Sequence, residues 1–206
     1  MLQVREKMRA PLTTALTVLS IRRARARGEV RLIVGAGTTK YQGWVRTDTM
    51  SLNLLREETW RRLLAPESVA SILAEHVWEH FWPHEAAVAA RICHRFLKPG
   101  GYLRIAVPDG FHPDPEYIAN VKPGGLGAGA EDHKVLYNFE TISKVFVASG
   151  FSVKLYEYFD KEHRFHFTEW DPDDGMIRRS MRFDPRNNVR PLCYTSIVLD
   201  CIKHCV

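Results

Sequence analysis

Three apolar segments, each followed at once by glycine or polar residues, most constrain the fold of this chain. They cover residues 32–38, 71–80 and 96–109 and are separated by helical patterns. Strands that alternate with helices in this way indicate a mainly parallel sheet with helices on its faces. Such a sheet binds its ligand beside the carboxyl ends of the strands, where the glycine and polar residues would then lie. We therefore expect an α/β fold with a ligand site along that edge.

Turn residues and hydrophobic patterns predict the remaining elements. The sequence Lys-Pro-Gly-Gly at residues 98–101 ends one helix, because proline and glycine cannot continue it. Residues 108–133 hold five glycines and four prolines, which is typical of a functional loop or lid. Predicted strands are residues 30–35, 44–48, 69–75, 102–107, 151–159 and 192–202, and predicted helices are residues 57–64, 84–97 and 139–149.

The charge of the chain is concentrated at its beginning. The 206 residues carry a net charge of +5, but residues 1–31 alone carry +6, so the remainder is close to neutral. This length fits one domain with a short appendage. We therefore predict a basic amphipathic helix over residues 1–28 and one domain over residues 29–206. The neutral body disfavours a nucleic acid as partner.

Three leucines, Leu12, Leu16 and Leu19, fall on one face of the predicted first helix. We expect this helix to pack across the domain or against a second copy of the chain. Peripheral contact with an anionic membrane and a transit sequence remain alternatives. The uncharged run is only 12 residues long, whereas about 20 are needed to span a bilayer.

The four cysteines indicate a reducing compartment. No Cys-x-x-Cys pair is present, and a chain of this size does not need disulfides for its stability. We therefore predict free thiols and a cytoplasmic protein.

Gly35 and Gly37 lie where the first strand must turn, and Asp48 follows at the end of the next strand. Glycine lets the backbone approach a ligand closely, and a carboxylate can accept hydrogen bonds from both hydroxyls of a ribose. A nicotinamide dinucleotide site has its acid about 20 residues after the glycines, beyond a full helix. Asp48 follows Gly35 by only 13 residues, so a nucleoside with an amino-acid tail fits better than a dinucleotide.

With these motifs the sequence resembles the class I S-adenosylmethionine-dependent methyltransferases. It looks most like a small bacterial-type branch with a shortened first motif, and the resemblance covers about residues 30–203. It is carried by Gly-Ala-Gly with Asp48, by His-Val-Trp-Glu-His at residues 76–80 and by residues 97–109, from Leu-Lys-Pro-Gly-Gly to Pro-Asp. The third glycine and the long first helix of the usual first motif are absent. The resemblance implies a minimal Rossmann-like methyltransferase fold with S-adenosylmethionine as cofactor. Its implied cofactor-binding residues are Gly35, Ala36, Gly37, Asp48, Ala74, Glu75 and His76.

The segment from His76 to His80 also matches His-x-x-Glu-His, the pattern of inverted zinc proteases. In a helix both histidines would share a face, as a zinc site requires. Pro83 would cut such a helix short, and no third ligand is evident from the sequence. A structural histidine pair is a further alternative. We favour an acceptor pocket that includes Trp78 and His80.

The long segment after residue 107 supplies further candidates. It follows the strand whose carboxyl end should face the reactive methyl group. Candidate residues in or beside it are Asp109, His112, Tyr117, His133 and Tyr137. We predict that His112, Tyr117 and Tyr137 bind the acceptor. Arg178, Arg179 and Arg182 form a basic stretch that either binds an acidic group or is solvated.

The preferred function is methyl transfer to a small molecule, at oxygen or nitrogen rather than carbon, without a metal. Histidine suits the general base, because its pKa lies near the working pH. His76 or His133 is the expected base, with Glu75 or Asp109 orienting it. Alternatives are an RNA or protein methyltransferase, a zinc hydrolase built on His-x-x-Glu-His, and a non-catalytic binding domain. The oligomeric state stays open, and a homodimer is compatible with the sequence.

Overall fold

The computed structural model describes residues 15–205 and contains a seven-stranded mixed sheet flanked by helices. The strands are β1 (Arg31–Ile33), β2 (Trp44–Arg46), β3 (Val69–Glu75), β4 (Leu97–Pro108), β5 (Phe151–Phe159), β6 (Phe165–Phe167) and β7 (Ser196–Lys203). The helices are α1 (residues 15–26), α2 (Glu57–Arg61), α3 (Pro83–Phe96), α4 (Pro115–Val121) and α5 (Phe139–Val147). This architecture confirms the predicted α/β class.

The strand order is β2-β1-β3-β4-β7-β5-β6. The pairs β1–β2, β1–β3 and β3–β4 are parallel, whereas β7 runs antiparallel between β4 and β5. Five strands, β1 to β5, therefore point the same way. The chain passes from β1 to β2 towards one edge of the sheet and from β3 to β4 towards the opposite edge, so the strand order reverses between β1 and β3. Because ligands bind where the strand order reverses, the crevice between the ends of β1 and β3 is the expected site.

Both faces of the central strands are covered: the helices share a hydrophobic cluster with one face, and Trp170 and Ile177 of the loop after β6 pack on the other. Leu32, Ile72 and Leu103 pair across β1, β3 and β4, and each is 0% exposed. Helix α3 begins at Pro83, which suits a first helical position, and packs through small residues such as Ala86 and Ala90. Its end at Phe96 agrees closely with the prediction, but β4 starts at once at Leu97 rather than after the glycines.

A buried ion pair fastens a long loop to the sheet. Arg104 of β4 is 2% exposed and donates to both carboxylate oxygens of Asp200 of β7, at 2.8 and 2.9 Å. Its Nη1 also donates to the main-chain carbonyls of Asp171 and Gly175, both at 3.0 Å. The loop after β6 is therefore held over the sheet, and it forms one wall of the site described below.

Two local expectations need correction. Residues 108–133 are not wholly a loop, because α4 begins after Asp114, whose side chain caps the helix by accepting from the Glu116 amide. Helix α1 packs on the core through Ile21 and Ala24, while Leu16 and Leu19 are 65% and 43% exposed. Leu12 lies outside the described residues, as do the first five residues, 10–14, of the predicted uncharged run. Within residues 15–205, none of the helices has the length and apolar character needed to span a bilayer.

Candidate functional site

The glycine turn after β1 has a backbone that only glycine adopts easily. Gly35 and Gly37 have φ angles of +59° and +49°. A Cβ on Gly35 would lie 2.7 Å from Cγ2 of Val77, whereas a Cβ on Gly37 would meet no atom of the described residues within 4 Å. The Ala36 amide donates to the carbonyl of Thr47 at 2.9 Å, which ties the turn to the end of β2. The turn is thus tightly packed against Val77 at Gly35, whereas no described residue packs against the corresponding position of Gly37.

Asp48 follows β2 and lines a cavity of about 390 Å³, the Asp48 cavity. Ala36 and Gly37 of the glycine turn and Leu16 of α1 line the same cavity. The half-buried carboxylate accepts from the amides of Met50 and Ser51, both at 3.0 Å and both at Oδ1. The side chain is therefore oriented by its own loop, with Oδ2 outside these bonds.

A larger cavity of about 880 Å³, the main cavity, opens at the carboxyl ends of β1 and β3. The turn from Gly35 to Gly37 forms one wall, so Ala36 and Gly37 line both cavities. Other lining residues are Glu75, His76, His80, Tyr117, His133, Arg178, Arg179, Arg186 and Tyr194. The fold therefore places the main cavity at the switch point of the sheet.

Glu75 ends β3 beside the glycine turn. Its Oε1 accepts from the Arg179 amide at 2.9 Å, and its Oε2 lies 3.7 Å from Nε of Arg178. Among the described residues, neither Glu75 Oε2 nor the buried hydroxyl of Tyr41 has a hydrogen-bond partner. Burial and the charge of Glu75 raise the pKa of Tyr41 to about 12. Glu75 thus keeps one buried acceptor oxygen unused.

His76 adopts a φ of +54°, in the left-handed region that non-glycine residues seldom occupy. Its ring is held at both nitrogens. Nδ1 lies 3.1 Å from Oε1 of Glu79, and Nε2 lies 3.0 Å from Oγ of Ser196 in β7. Strained backbone of this kind persists only where the surroundings fix it and is frequent at functional sites.

Glu79 is a carboxylate buried beneath the main cavity, with 1% of its side chain exposed. It lies on a single 3₁₀ turn, Trp78–His80, between β3 and α3. The helical zinc-protease arrangement is therefore wrong, because His76 ends a strand and His80 belongs to this turn. Burial alone would raise the pKa of Glu79, but the charges of His76 and His80 hold that pKa below its ordinary value.

His80 and His133 meet above Glu79. Their ring centroids are 4.8 Å apart in an edge-to-face arrangement. Nδ1 of His133 donates to the carbonyl of Val121 at 2.7 Å, and its Nε2 lies 4.0 Å from Oε1 of Glu79. Burial lowers the pKa of His80 although the charge of Glu79 opposes this. We call Glu79, His80 and His133 the Glu79 cluster.

Several predicted site residues lie away from the main cavity. Ala74 is 1% exposed in the core, and Trp78 is 0% exposed and packs against Phe81 and Phe146. His112 stacks on Tyr117 at 3.9 Å between ring centroids and lines a separate cavity of about 330 Å³.

Tyr137 and Asp109 are also buried outside the cavity, at 3% and 0% exposure. The Asp109 carboxylate accepts from the amides of Phe111 and Phe159, at 2.9 and 2.7 Å, and so joins the ends of β4 and β5. Its burial raises its pKa to about 6. Asp109 therefore has a clear structural role and does not reach His76 or His133.

The partner of His76 is Glu79, not the expected Glu75 or Asp109. The available sequence signal for Glu79 was its position three residues after His76, which itself directly follows the predicted strand at residues 69–75. Ser196 and Tyr194 carry no such signal, because they reach the site from the other end of the chain.

Comparison with known proteins identifies the fold of this chain. No protein-family model and no curated protein matches the sequence. Among solved structures, an S-adenosylmethionine-dependent methyltransferase from Thermotoga maritima matches with a TM-score of 0.52 and 16% identity, over 97% of this chain and 96% of that one. The chain has the class I methyltransferase fold.

A second structure with this fold supports the same assignment. It is a complex from Haloferax volcanii between the Trm112 methyltransferase activator and a protein assigned as a methyltransferase. It matches with a TM-score of 0.50 and 13% identity, over 94% of this chain and 90% of that one. At such identities the likeness concerns the fold, so the activity has to be argued from the site.

Proposed function

We propose that this chain transfers a methyl group from S-adenosylmethionine to a small-molecule acceptor. The observation that carries the proposal is the place of the glycine turn. Because Ala36 and Gly37 line both cavities, one elongated ligand can cross the turn with its ribose near Asp48 and its amino-acid end in the main cavity. When bound, this cofactor supplies a methyl group already activated by the sulfonium.

The residues around the turn suit such a cofactor. A side chain on Gly37 would point into open space, so its backbone is free for close approach by a ligand. The unused buried oxygen of Glu75 suits an ammonium group, since buried carboxylate oxygens need a donor. The side chains of Arg178 and Arg179 are on the same wall and suit a carboxylate.

The acceptor would occupy the remainder of the main cavity, between the turn and the Glu79 cluster. Methyl transfer to oxygen or nitrogen requires the acceptor to lose a proton. His76 has both ring nitrogens in contact with other side chains, whereas Nε2 of His133 makes no hydrogen bond to any residue of the described range 15–205. His133 is therefore the better proton acceptor in the absence of a metal, and His76 is a positioning residue for Glu79.

The choice of a small molecule rests on enclosure and charge. Tyr194 and the arginines of the loop after β6 close one side of the cavity, and α4 closes another. The chain beyond residue 31 is nearly neutral, which gives a nucleic acid no broad basic surface. The described cysteines are free, which fits a cytoplasmic setting.

Isothermal titration with S-adenosylmethionine and with S-adenosylhomocysteine tests the cofactor. We expect binding of both ligands and at least a tenfold loss of affinity in Asp48→Ala. Asp173→Ala, an exposed aspartate outside both cavities, is the matched control and should bind as the wild type does. Absence of binding by the wild type would overturn the proposal.

The acceptor class is tested with cofactor carrying a labelled methyl group. The enzyme is incubated with separate low-molecular-weight, RNA and protein fractions of a cell extract. We expect label in the low-molecular-weight fraction. Label confined to RNA or protein would retain the methyltransferase and refute the small-molecule acceptor.

A further inference from the structure

The Glu79 cluster brings two imidazoles close to a buried carboxylate whose oxygens have no hydrogen-bond partner among the described residues. The ligand atoms of Glu79, His80 and His133 all lie within 4.8 Å of one another. They come from the 3₁₀ turn after β3 and from the end of the segment that contains α4. Both histidines line the main cavity, while Glu79 lies beneath them.

The main chain holds one ring nitrogen of His133. Nδ1 of His133 donates to the carbonyl of Val121 at 2.7 Å, which leaves Nε2 facing Oε1 of Glu79 at 4.0 Å. The ring of His80 packs edge-to-face on that of His133, with 4.8 Å between the ring centroids. Histidines that bind metals nearly always donate their second ring N–H as His133 does, which fixes the tautomer and the ring orientation.

The carboxylate between them is not satisfied by the protein. Among the described residues, neither oxygen of Glu79 accepts a hydrogen bond of good geometry, although His76 lies at ion-pair distance. Burial leaves these oxygens without a hydrogen-bond donor, and a cation between the three groups would satisfy them.

We propose that Glu79, His80 and His133 bind a divalent transition-metal ion, with Zn²⁺ as the best match. Two imidazoles and one carboxylate are a known donor set of catalytic zinc sites, which leave a fourth position open. Tetrahedral coordination with bonds of about 2.0–2.1 Å places ligand atoms roughly 3.4 Å apart. The ligand atoms of the cluster lie within 4.8 Å of one another, so binding requires the side chains to move inward by up to about 1.4 Å.

This site differs from the His-x-x-Glu-His arrangement of the sequence, because His76 is not one of the ligands. His76 instead contacts Glu79 from behind, at 3.1 Å, as an outer partner that orients a metal-binding carboxylate. The open position would face the main cavity. Metal binding itself does not depend on the proposed methyl transfer. Only the role of the metal does: an acceptor hydroxyl bound there would release its proton to solvent more readily.

Equilibrium dialysis of the full chain with Zn²⁺, without any cofactor, tests the site. We expect one ion per chain in the wild type and at least tenfold weaker binding in His80→Ala and in His133→Ala. His84→Ala, an exposed histidine at the start of α3, is the matched control and should bind as the wild type does. His76→Ala should bind Zn²⁺ more weakly but keep the stoichiometry.

Co²⁺ in place of Zn²⁺ gives a second readout that needs no variant. Its visible absorption should show four- or five-coordinate ligation in the wild type and should change in His80→Gln and His133→Gln, with folding checked by circular dichroism. No ion bound by the wild type, or binding that the cluster variants leave unchanged, would overturn the proposal. Binding of S-adenosylmethionine by the same samples is measured in an independent titration. Failure of the metal proposal therefore does not refute the proposed methyl transfer, and failure of methyl transfer does not refute the metal site.

Discussion

Nδ1 of His76 lies 3.1 Å from Oε1 of Glu79, and the two side chains are only 10% and 1% exposed. The pair joins a strained strand end to the 3₁₀ turn that follows it. Removing one member of a buried ion pair leaves the other uncompensated, which typically costs 3–5 kcal/mol. The following predictions start from this contact.

We expect Glu79→Gln to lower the free energy of unfolding by about 3 kcal/mol, because the amide keeps the shape but loses the charge that faces His76. Urea unfolding after dialysis against a chelator measures this without any contribution from bound metal. Glu57→Gln, which weakens exposed pairs with Arg61 and Arg95, is the control and should change stability by less than about 1 kcal/mol. Equal effects of the two substitutions would contradict the prediction.

Gly35→Ala should destabilise the fold more than Gly37→Ala, although both glycines have positive φ. The left-handed backbone alone costs an L-residue about 1–2 kcal/mol, and the 2.7 Å approach to Val77 adds to this only at residue 35. Thermal and urea unfolding of both variants compare the two costs. The double variant Gly35→Ala with Val77→Ala should recover part of the loss, and failure to recover any would show that the clash is not the cause.

The stability of the wild type should decrease between about pH 4 and pH 7 through Asp109. The folded pKa of about 6 lies above the ordinary 3.8, so this contribution is fully present below pH 3.8 and is lost as the pH rises through 6. The shift corresponds to roughly 3 kcal/mol at most. The free energies of unfolding of the wild type and of Asp109→Asn are measured across this pH range. The advantage of the wild type over the variant should decrease by up to that amount as the pH rises. A constant difference between them would refute the prediction.

Arg104→Met should destabilise the fold by about 3–5 kcal/mol, because it leaves the Asp200 carboxylate buried without its partner. It also frees the carbonyls of Asp171 and Gly175, so hydrogen exchange in residues 171–175 should accelerate beyond the global effect. Arg56→Met removes an exposed pair with Glu58 and should leave both measurements unchanged. Unaltered exchange in the loop would show that Arg104 does not hold it.

Local sequence patterns predict much of this fold. The apolar run at residues 69–75 and the segment at residues 151–159 are strands over those same residues, and Asn138 caps α5 as predicted. These elements are predictable because their signals lie within a few residues. The insertion of β7 between β4 and β5 is not, because strand pairing joins residues about 95 positions apart in sequence, such as Leu103 and Cys201.

The site is predictable to a lesser degree, for the same reason. The glycine turn and His76 follow buried strands, so topology alone brings them to one edge. Which acid meets His76 depends on a single 3₁₀ turn, and propensity does not distinguish that turn from a loop. Helix α1 shows a related difficulty, because its buried face holds Ile21 and Ala24, whereas Leu16 and Leu19 are exposed.

Strand β7 has a consequence for how the protein is made. Of the strands in the described part of the chain, it alone joins β2-β1-β3-β4 to β5-β6, and it is synthesised after the other six. Until residues 196–203 leave the ribosome, the nascent chain therefore exposes two sheet edges, β4 and β5, that have no partner. Unpaired edges of this kind favour aggregation. The nascent chain is therefore most prone to aggregation in the interval after β5 and β6 have formed and before β7 is available to pair with β4 and β5.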